Sequence, residues 1–116
     1  MRKLAAYSSI LLLLLSGCLF QSHVITVTIL NKGKLEAHNI EFRYPGGSFG
    51  VSTLAPGKTY EYRIKPFYSG AVEIEYKYGE AKVRSTISKV EKDQAGKATV
   101  AIDETGAKWE GVQRAQ

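Results

Sequence analysis

The stretch VEIEYKY, residues 72–78, alternates apolar and charged side chains at every position. A period of two is typical of a β-strand with one buried face, because successive side chains of a strand point to opposite sides of the sheet. The same alternation occurs in IEFRY, residues 40–44, and in YEYRI, residues 60–64. We therefore predict three strands here, with their apolar side chains directed into a shared core.

Four further segments have strand-like patterns, and turn residues separate them. They are residues 24–30, 49–54, 83–87 and 98–102. Short strands at intervals of roughly 8 to 12 residues, without amphipathic helical segments between them, favour a sandwich or barrel. We predict an all-β fold, a single immunoglobulin-like antiparallel β-sandwich of about seven strands.

Two of the turns carry specific expectations. Ala55-Pro56-Gly57-Lys58 has proline and glycine at the second and third positions, which predicts a type II turn. In the loop of residues 31–36, we expect Gly33 to supply a positive φ. Residues 103–116 show no clear alternation, so we expect a loosely ordered tail whose Trp109 packs back onto the sandwich.

The first residues have the layout of a signal peptide. Arg2 and Lys3 precede an uncharged stretch, residues 4–16, that is dominated by leucine. A helix that spans a bilayer needs about 20 apolar residues, so this shorter stretch favours a signal peptide helix over a permanent membrane span.

The stretch ends in Leu15-Ser16-Gly17-Cys18, which resembles the lipobox of bacterial lipoproteins. The resemblance implies cleavage before Cys18 and acyl chains on that cysteine, which would anchor the protein to a membrane. The predicted domains are a lipoprotein signal peptide (1–17), a lipidated tether (18–22), the sandwich (23–103) and a C-terminal tail (104–116).

The same resemblance implies a location in the cell envelope. In Gram-negative lipoproteins an aspartate after the lipidated cysteine tends to signal retention in the inner membrane, and this chain has Leu19 there. For a Gram-negative source we therefore expect the outer membrane, with the protein facing the periplasm. Cys18 is the single cysteine, so lipidation leaves no disulfide and no cysteine-based metal site.

Charge argues against nucleic acid as a partner. The formal net charge of the whole chain is +5, and losing Arg2 and Lys3 with the signal peptide lowers it to +3. No run of lysine or arginine stands out in the remainder. A mild attraction to anionic lipid or polysaccharide is still compatible with this charge.

A second resemblance concerns residues 24–90, which look like bacterial immunoglobulin-like modules of the cell-adhesion-related domain type. The matching residues are Asn31-Lys32-Gly33, then Ala37 and Ile40, then Leu54-Ala55-Pro56-Gly57, with Gly70 opening the next strand. Such modules usually serve as spacer or recognition repeats in long secreted chains. The resemblance implies the sandwich fold.

Residues that could carry catalysis or bind a metal are few. His23 and His38 lie beside apolar strands and have no partner at a ligand-like spacing, so we expect exposed or edge histidines. Ser48, after Gly47, comes nearest to a nucleophile but fits hairpin chemistry better. No phosphate-binding or dinucleotide motif is present, and we predict no cofactor, no metal site and no catalytic residue.

One carboxylate pair keeps an enzymatic alternative open. Glu73 and Glu75 lie on one face of a strand, with Cβ atoms about 7 Å apart, a spacing compatible with glycoside hydrolysis. Charged residues also occupy equivalent outward positions on the predicted strands: Glu61, Arg63, Lys65, Lys77, Lys82 and Arg84. We favour a solvated face with cross-strand ion pairs.

Aromatic residues supply the candidate binding surface. Five tyrosines fall on predicted inward positions, where they would fill the core and its rim: Tyr44, Tyr60, Tyr62, Tyr76 and Tyr78. Phe67 and Tyr68 instead lie in a connection between Pro66 and Gly70, and we predict an exposed binding tip there.

The sequence thus predicts a non-catalytic lipoprotein that binds or supports another envelope component, either a protein or a glycan. The alternatives are a periplasmic glycan-acting enzyme and a small inhibitor of a cell-wall hydrolase.

Overall fold

The computed structural model describes residues 23–113, and these residues form eight β-strands. The strands are β1 (Ile25–Asn31), β2 (Ala37–Tyr44), β3 (Gly47–Leu54), β4 (Thr59–Ile64), β5 (Gly70–Tyr78), β6 (Ala81–Val90), β7 (Gly96–Asp103) and β8 (Gly106–Gln113). The predicted signal peptide helix (1–17) and tether (18–22) lie outside the described residues. Within 23–113 no helix is long and apolar enough to cross a membrane.

The eight strands form two four-stranded sheets, in the orders β4-β1-β7-β8 and β3-β2-β5-β6. The two sheets pack together, which confirms the predicted all-β sandwich with eight strands in place of about seven. Neighbouring strands are antiparallel except β1 and β7, which are parallel.

The core lies between the sheets and follows the period of two. Strand β1 alternates between buried and half-buried side chains along its whole length. The largest fully buried side chains come from six of the strands or their ends: Ile25, Val27, Ile29, Ile40, Phe42, Ile64, Val72, Ile74, Tyr76, Val90, Val100 and Ile102. Removing these apolar surfaces from water is the main favourable contribution to folding.

The C-terminal segment corrects a prediction. We expected no strand in residues 104–116, but β8 pairs with β7 in an antiparallel register after a tight turn. The carboxylate of Asp103 forms this turn by accepting hydrogen bonds from the backbone N–H groups of Thr105 (2.8 Å) and Gly106 (3.2 Å). The expectation for Trp109 is confirmed, because its half-buried ring packs against the core.

The two predicted turns have different outcomes. Gly57 has a φ of +76° and the N–H of Lys58 donates to the carbonyl of Ala55 at 3.1 Å, as a type II turn requires. Gly33 is not among the residues with positive φ, so that expectation was wrong. Glycine is needed there for space, because a Cβ would overlap the hydroxyl of Tyr78.

The connections gather at two ends of the sandwich. The N-terminal end, where β1 begins, carries the loops of residues 45–46, 65–69 and 91–95. The opposite end carries the loops of residues 32–36, 55–58, 79–80 and 104–105. Pairing of Ile25 with both Ile64 and Gly96 fixes this assignment, since β4 ends and β7 starts where β1 starts.

Candidate functional sites

The predicted binding tip is a surface feature of the N-terminal end. The side chains of Phe67 and Tyr68 are 58% and 60% exposed, which is high for aromatic residues. We call these two residues the aromatic tip. Single exposed apolar residues are common on proteins, but two consecutive exposed aromatic residues in one connection offer a small contact surface.

Hydrogen bonds fix the loop that carries the aromatic tip to both neighbouring loops. The backbone N–H of Phe67 donates to the carbonyl of Pro45 at 3.1 Å, and the N–H of Asp93 donates to the carbonyl of Pro66 at 3.0 Å. The Ser69 hydroxyl donates to the Glu91 carboxylate at 2.9 Å. The loop of residues 65–69 is therefore held by the loops of residues 45–46 and 91–95.

Packing also restrains the ring of Phe67. Gly46 has a φ of +105°, and a Cβ at that position would overlap Cδ2 of Phe67. The ring can therefore lie against the Pro45-Gly46 turn only because residue 46 is glycine. The ammonium group of Lys65 lies 6.0 Å from the centre of the Phe67 ring, at the limit of a cation–π contact. The exposure of Phe67 and Tyr68 was predicted from the sequence, but these supporting contacts were not, although the Pro45-Gly46 turn is recognisable in it.

The outer face of β2, β5 and β6 carries the predicted ion pairs. Glu75 contacts the guanidinium of Arg43 at 3.3 Å and the ammonium of Lys82 at 3.2 Å, while Glu73 lies 3.6 Å from Arg84. Arg43 also pairs with Glu41. The interpretation of Glu73 and Glu75 as members of a mixed-charge face is thus confirmed by their contacts.

These contacts weaken the case for a glycosidase acid. A hydrogen bond from Lys82 and a second from Arg43 hold the pKa of Glu75 below its usual value. A general acid needs the opposite shift, so that its carboxyl group stays protonated. Beside Glu75 an open groove of about 410 Å³ is lined by Asn39, Glu41, Glu75, Tyr76, Lys77 and Lys82.

The low pKa of Glu75 predicts a pH-dependent contribution to stability. A carboxyl group with a lowered folded-state pKa stabilises the fold above its ordinary value of 4.5, and this contribution disappears as the pH falls through the folded-state pKa. In urea unfolding between about pH 7 and about pH 3, we expect Glu75→Gln to be less stable than the parent at neutral pH, with the difference closing in acid. Glu61→Gln, on the exposed strand β4, is the control. A difference that stays constant with pH would contradict the assignment.

The remaining chemical candidates lie apart from one another. His23 is exposed, and His38 lies 3.3 Å from the carboxylate of Glu36 on the surface. Ser48 is an exposed residue of β3 paired with Arg43 of β2, directly after the hairpin turn. Among residues 23–113, no group of three or more metal-binding side chains lies close enough to hold an ion.

The tyrosines divide according to the position of their strands. Tyr76 and Tyr78 are buried on β5, and burial raises the pKa of Tyr76 to about 12. Tyr60 and Tyr62 are 37% and 39% exposed, because β4 is the edge strand of its sheet. They form part of the rim, where the ring of Tyr62 stacks on Phe49 of the other sheet with centroids 4.3 Å apart.

The lipobox residues Leu15, Ser16, Gly17 and Cys18 lie outside the described residues. Their processing therefore stays a prediction from the sequence.

Comparison with known proteins supports the fold alone. No model of a protein family matches the chain, and no curated protein matches it either. The chain is similar to a protein from Eubacterium rectale whose structure was determined by NMR, with 11% identity and a TM-score of 0.56. The match covers 81% of this chain and 92% of that one. At this level of identity the likeness indicates a shared fold and carries no functional information.

Proposed function

We propose that this protein is a lipid-anchored, non-catalytic β-sandwich of the bacterial cell envelope that binds or supports another envelope component. The observation that carries the proposal is the lipobox-like sequence ending at Cys18, seven residues before the first strand of the sandwich. A cysteine acylated at that position would hold the sandwich close to a membrane surface. In a Gram-negative source, Leu19 favours the outer membrane, with the sandwich facing the periplasm.

The non-catalytic part of the proposal is supported by the surroundings of the candidate residues. Glu73 and Glu75 are paired with cations, and the two histidines lie on separate surface positions. The alternation of cations and anions over β2, β5 and β6 suits a solvated face, which also protects neighbouring sheet edges from association. The Leu54-Ala55-Pro56-Gly57 turn is compatible with the proposed relationship to immunoglobulin-like adhesion modules.

The anchor is tested by the intact mass of the protein purified from its host. We expect a mass that corresponds to loss of residues 1–17 and addition of acyl chains, with the protein in the membrane fraction. Cys18→Ala should lack both changes in mass, because its side chain has no thiol to acylate. Ser16→Ala keeps a small residue in the lipobox and should be processed like the parent. A parent chain without acyl mass would overturn the proposal.

The binding role requires a separate test, because an anchored protein need not have a partner. Mild crosslinking in intact cells, followed by purification of the lipidated chain, should recover a specific envelope protein or glycan. A chain that crosslinks to none would contradict the binding role and leave a structural one.

A further inference from the structure

The aromatic tip and the start of the described chain lie at the same end of the sandwich. Ile25 pairs with Ile64, so His23 and Phe67 each lie only two or three residues beyond this pair. The N–H of Gly96 donates to the carbonyl of Val24 at 3.1 Å, which ties the first residues to the sheet at this end. The chain therefore enters the sandwich beside the tip.

Covalent geometry limits how far this end can lie from Cys18. His23 is five positions after Cys18, and an extended chain covers at most about 3.6 Å per residue, or about 18 Å in total. The opposite end is farther away by the length of a strand, about 30 Å for the nine residues of β5. An acylated Cys18 would thus keep the N-terminal end, with the tip, next to the bilayer.

We propose that the aromatic tip inserts into the interfacial region of the membrane that holds Cys18. This inference rests on the proposed lipid anchor, and the binding partner that it assigns to the aromatic tip is a lipid bilayer. Phe67 supplies an apolar ring, and Tyr68 supplies a ring with a polar hydroxyl, a combination that suits the boundary between acyl chains and headgroups. Lys65, beside the Phe67 ring, places a cation where lipid phosphates would lie.

The structure of the tip's loop favours this role, because the loop is already held in one conformation before it contacts the bilayer. The hydrogen bonds to Pro45 and from Asp93 hold the loop, and the Gly46 turn supports the Phe67 ring. Contact with the bilayer therefore costs little loop entropy. The tip and the acyl chains would act as two attachments, which fixes the orientation of the sandwich and leaves its opposite end facing away from the membrane.

Depth-dependent fluorescence quenching tests the proposal. The processed protein, residues 18–116 purified from its host with the acyl chains and carrying Trp109→Phe, is reconstituted into vesicles of phosphatidylcholine and phosphatidylglycerol with brominated acyl chains. Tyr68→Trp reports on the tip. Leu35→Trp is the matched control, since Leu35 is 51% exposed in a loop at the opposite end. Both positions are exposed, so both variants should fold, which thermal unfolding checks.

We expect brominated lipid to quench Tyr68→Trp several-fold more strongly than Leu35→Trp. Equal quenching at the two positions, or an unquenched tip in a protein whose mass shows acyl chains, overturns the membrane contact while the anchor stands. An unquenched tip would instead favour a binding partner in the aqueous phase, such as a glycan. A protein without acyl mass removes the anchor and, with it, the premise of this inference.

Discussion

Replacement of Asn31 by leucine is expected to lower the free energy of unfolding by about 3 kcal/mol or more, because it leaves several buried backbone groups without partners. Asn31 is the buried polar residue of the core among the described residues, with 0% of its surface exposed. Its side chain lies at the end of β1, where it contacts the loop of residues 32–36 and the ends of β3 and β5.

The side-chain amide of Asn31 forms four hydrogen bonds, two through its nitrogen and two through its oxygen. Its nitrogen donates to the carbonyl oxygens of Leu35 and Leu54, each at 2.8 Å. Its oxygen accepts from the N–H of Gly33 at 3.0 Å and from the hydroxyl of Tyr78 at 3.3 Å. Leucine has the same number and branching of side-chain heavy atoms, but its two methyl groups are bulkier than the amide and can form none of these bonds. The loss should be large because a donor or acceptor left unpaired in the core costs its full desolvation energy.

The prediction is checked by urea unfolding of Asn31→Leu beside two comparisons. Asn31→Asp keeps the acceptor but loses both donors and adds a charge, so we expect it to be strongly destabilised at neutral pH as well. Asn39→Gly is the control on an exposed asparagine, which has a φ of +51° that glycine adopts without strain. We expect its effect to stay below about 1 kcal/mol. Unchanged stability in Asn31→Leu would show that the network does not hold this end together.

The strands were predictable where one face is buried along most of the strand. Residues 72–78 alternate between buried and more exposed positions as their sequence indicates, and Gly79 forms the hairpin turn with a φ of +62°. Strand β8 was missed because it has only a short alternation, Ala107 and Trp109 against Lys108 and Glu110, and its other neighbours are glycines. An edge strand has a partner on one side only, so its sequence is less constrained.

Pairing between strands that are far apart in the chain was the feature least predictable from the sequence. The parallel pairing of β1 with β7 joins residues about 70 positions apart, such as Ile25 and Gly96, and no local pattern encodes it. The exposure of Tyr62 was equally unpredictable, because Tyr62 alternates with charged neighbours in the same way as the buried Tyr76. Its exposure depends on β4 lying at a sheet edge.

At the candidate sites, too, local features were predictable from the sequence and contacts between distant segments were not. Exposure of the aromatic tip was predictable, because Pro66 and Gly70 mark a connection. Its support by Gly46 was not, because the contact joins two loops that are distant in the chain. For Glu75, the sequence predicted a charged face, but the choice of Arg43 and Lys82 as partners depends on the strand register.

Replacement of Gly33 by alanine should destabilise the fold by about 2 kcal/mol, because the added methyl group overpacks the buried Tyr78 side chain. The new Cβ would overlap the Tyr78 hydroxyl and lie 2.7 Å from Cζ of the ring. The ring cannot easily move away, because Tyr78 is 3% exposed and its hydroxyl accepts a hydrogen bond from the N–H of Leu35 at 3.0 Å. Gly50→Ala is the control, since its Cβ would meet only the Ile40 carbonyl at 3.4 Å on an edge strand.

A double-mutant cycle separates overpacking from any effect of Gly33 on the loop backbone. Tyr78→Phe alone should cost about 1 kcal/mol, because Leu35 and Asn31 each lose a hydrogen bond to the hydroxyl. In the Tyr78→Phe background the atom that the alanine methyl overlaps most is gone, so Gly33→Ala should cost clearly less than in the parent. The rescue should be partial, because the ring carbon still lies close to the new methyl group. Strictly additive free energies would contradict the overlap and place the requirement for glycine in the backbone of the loop itself.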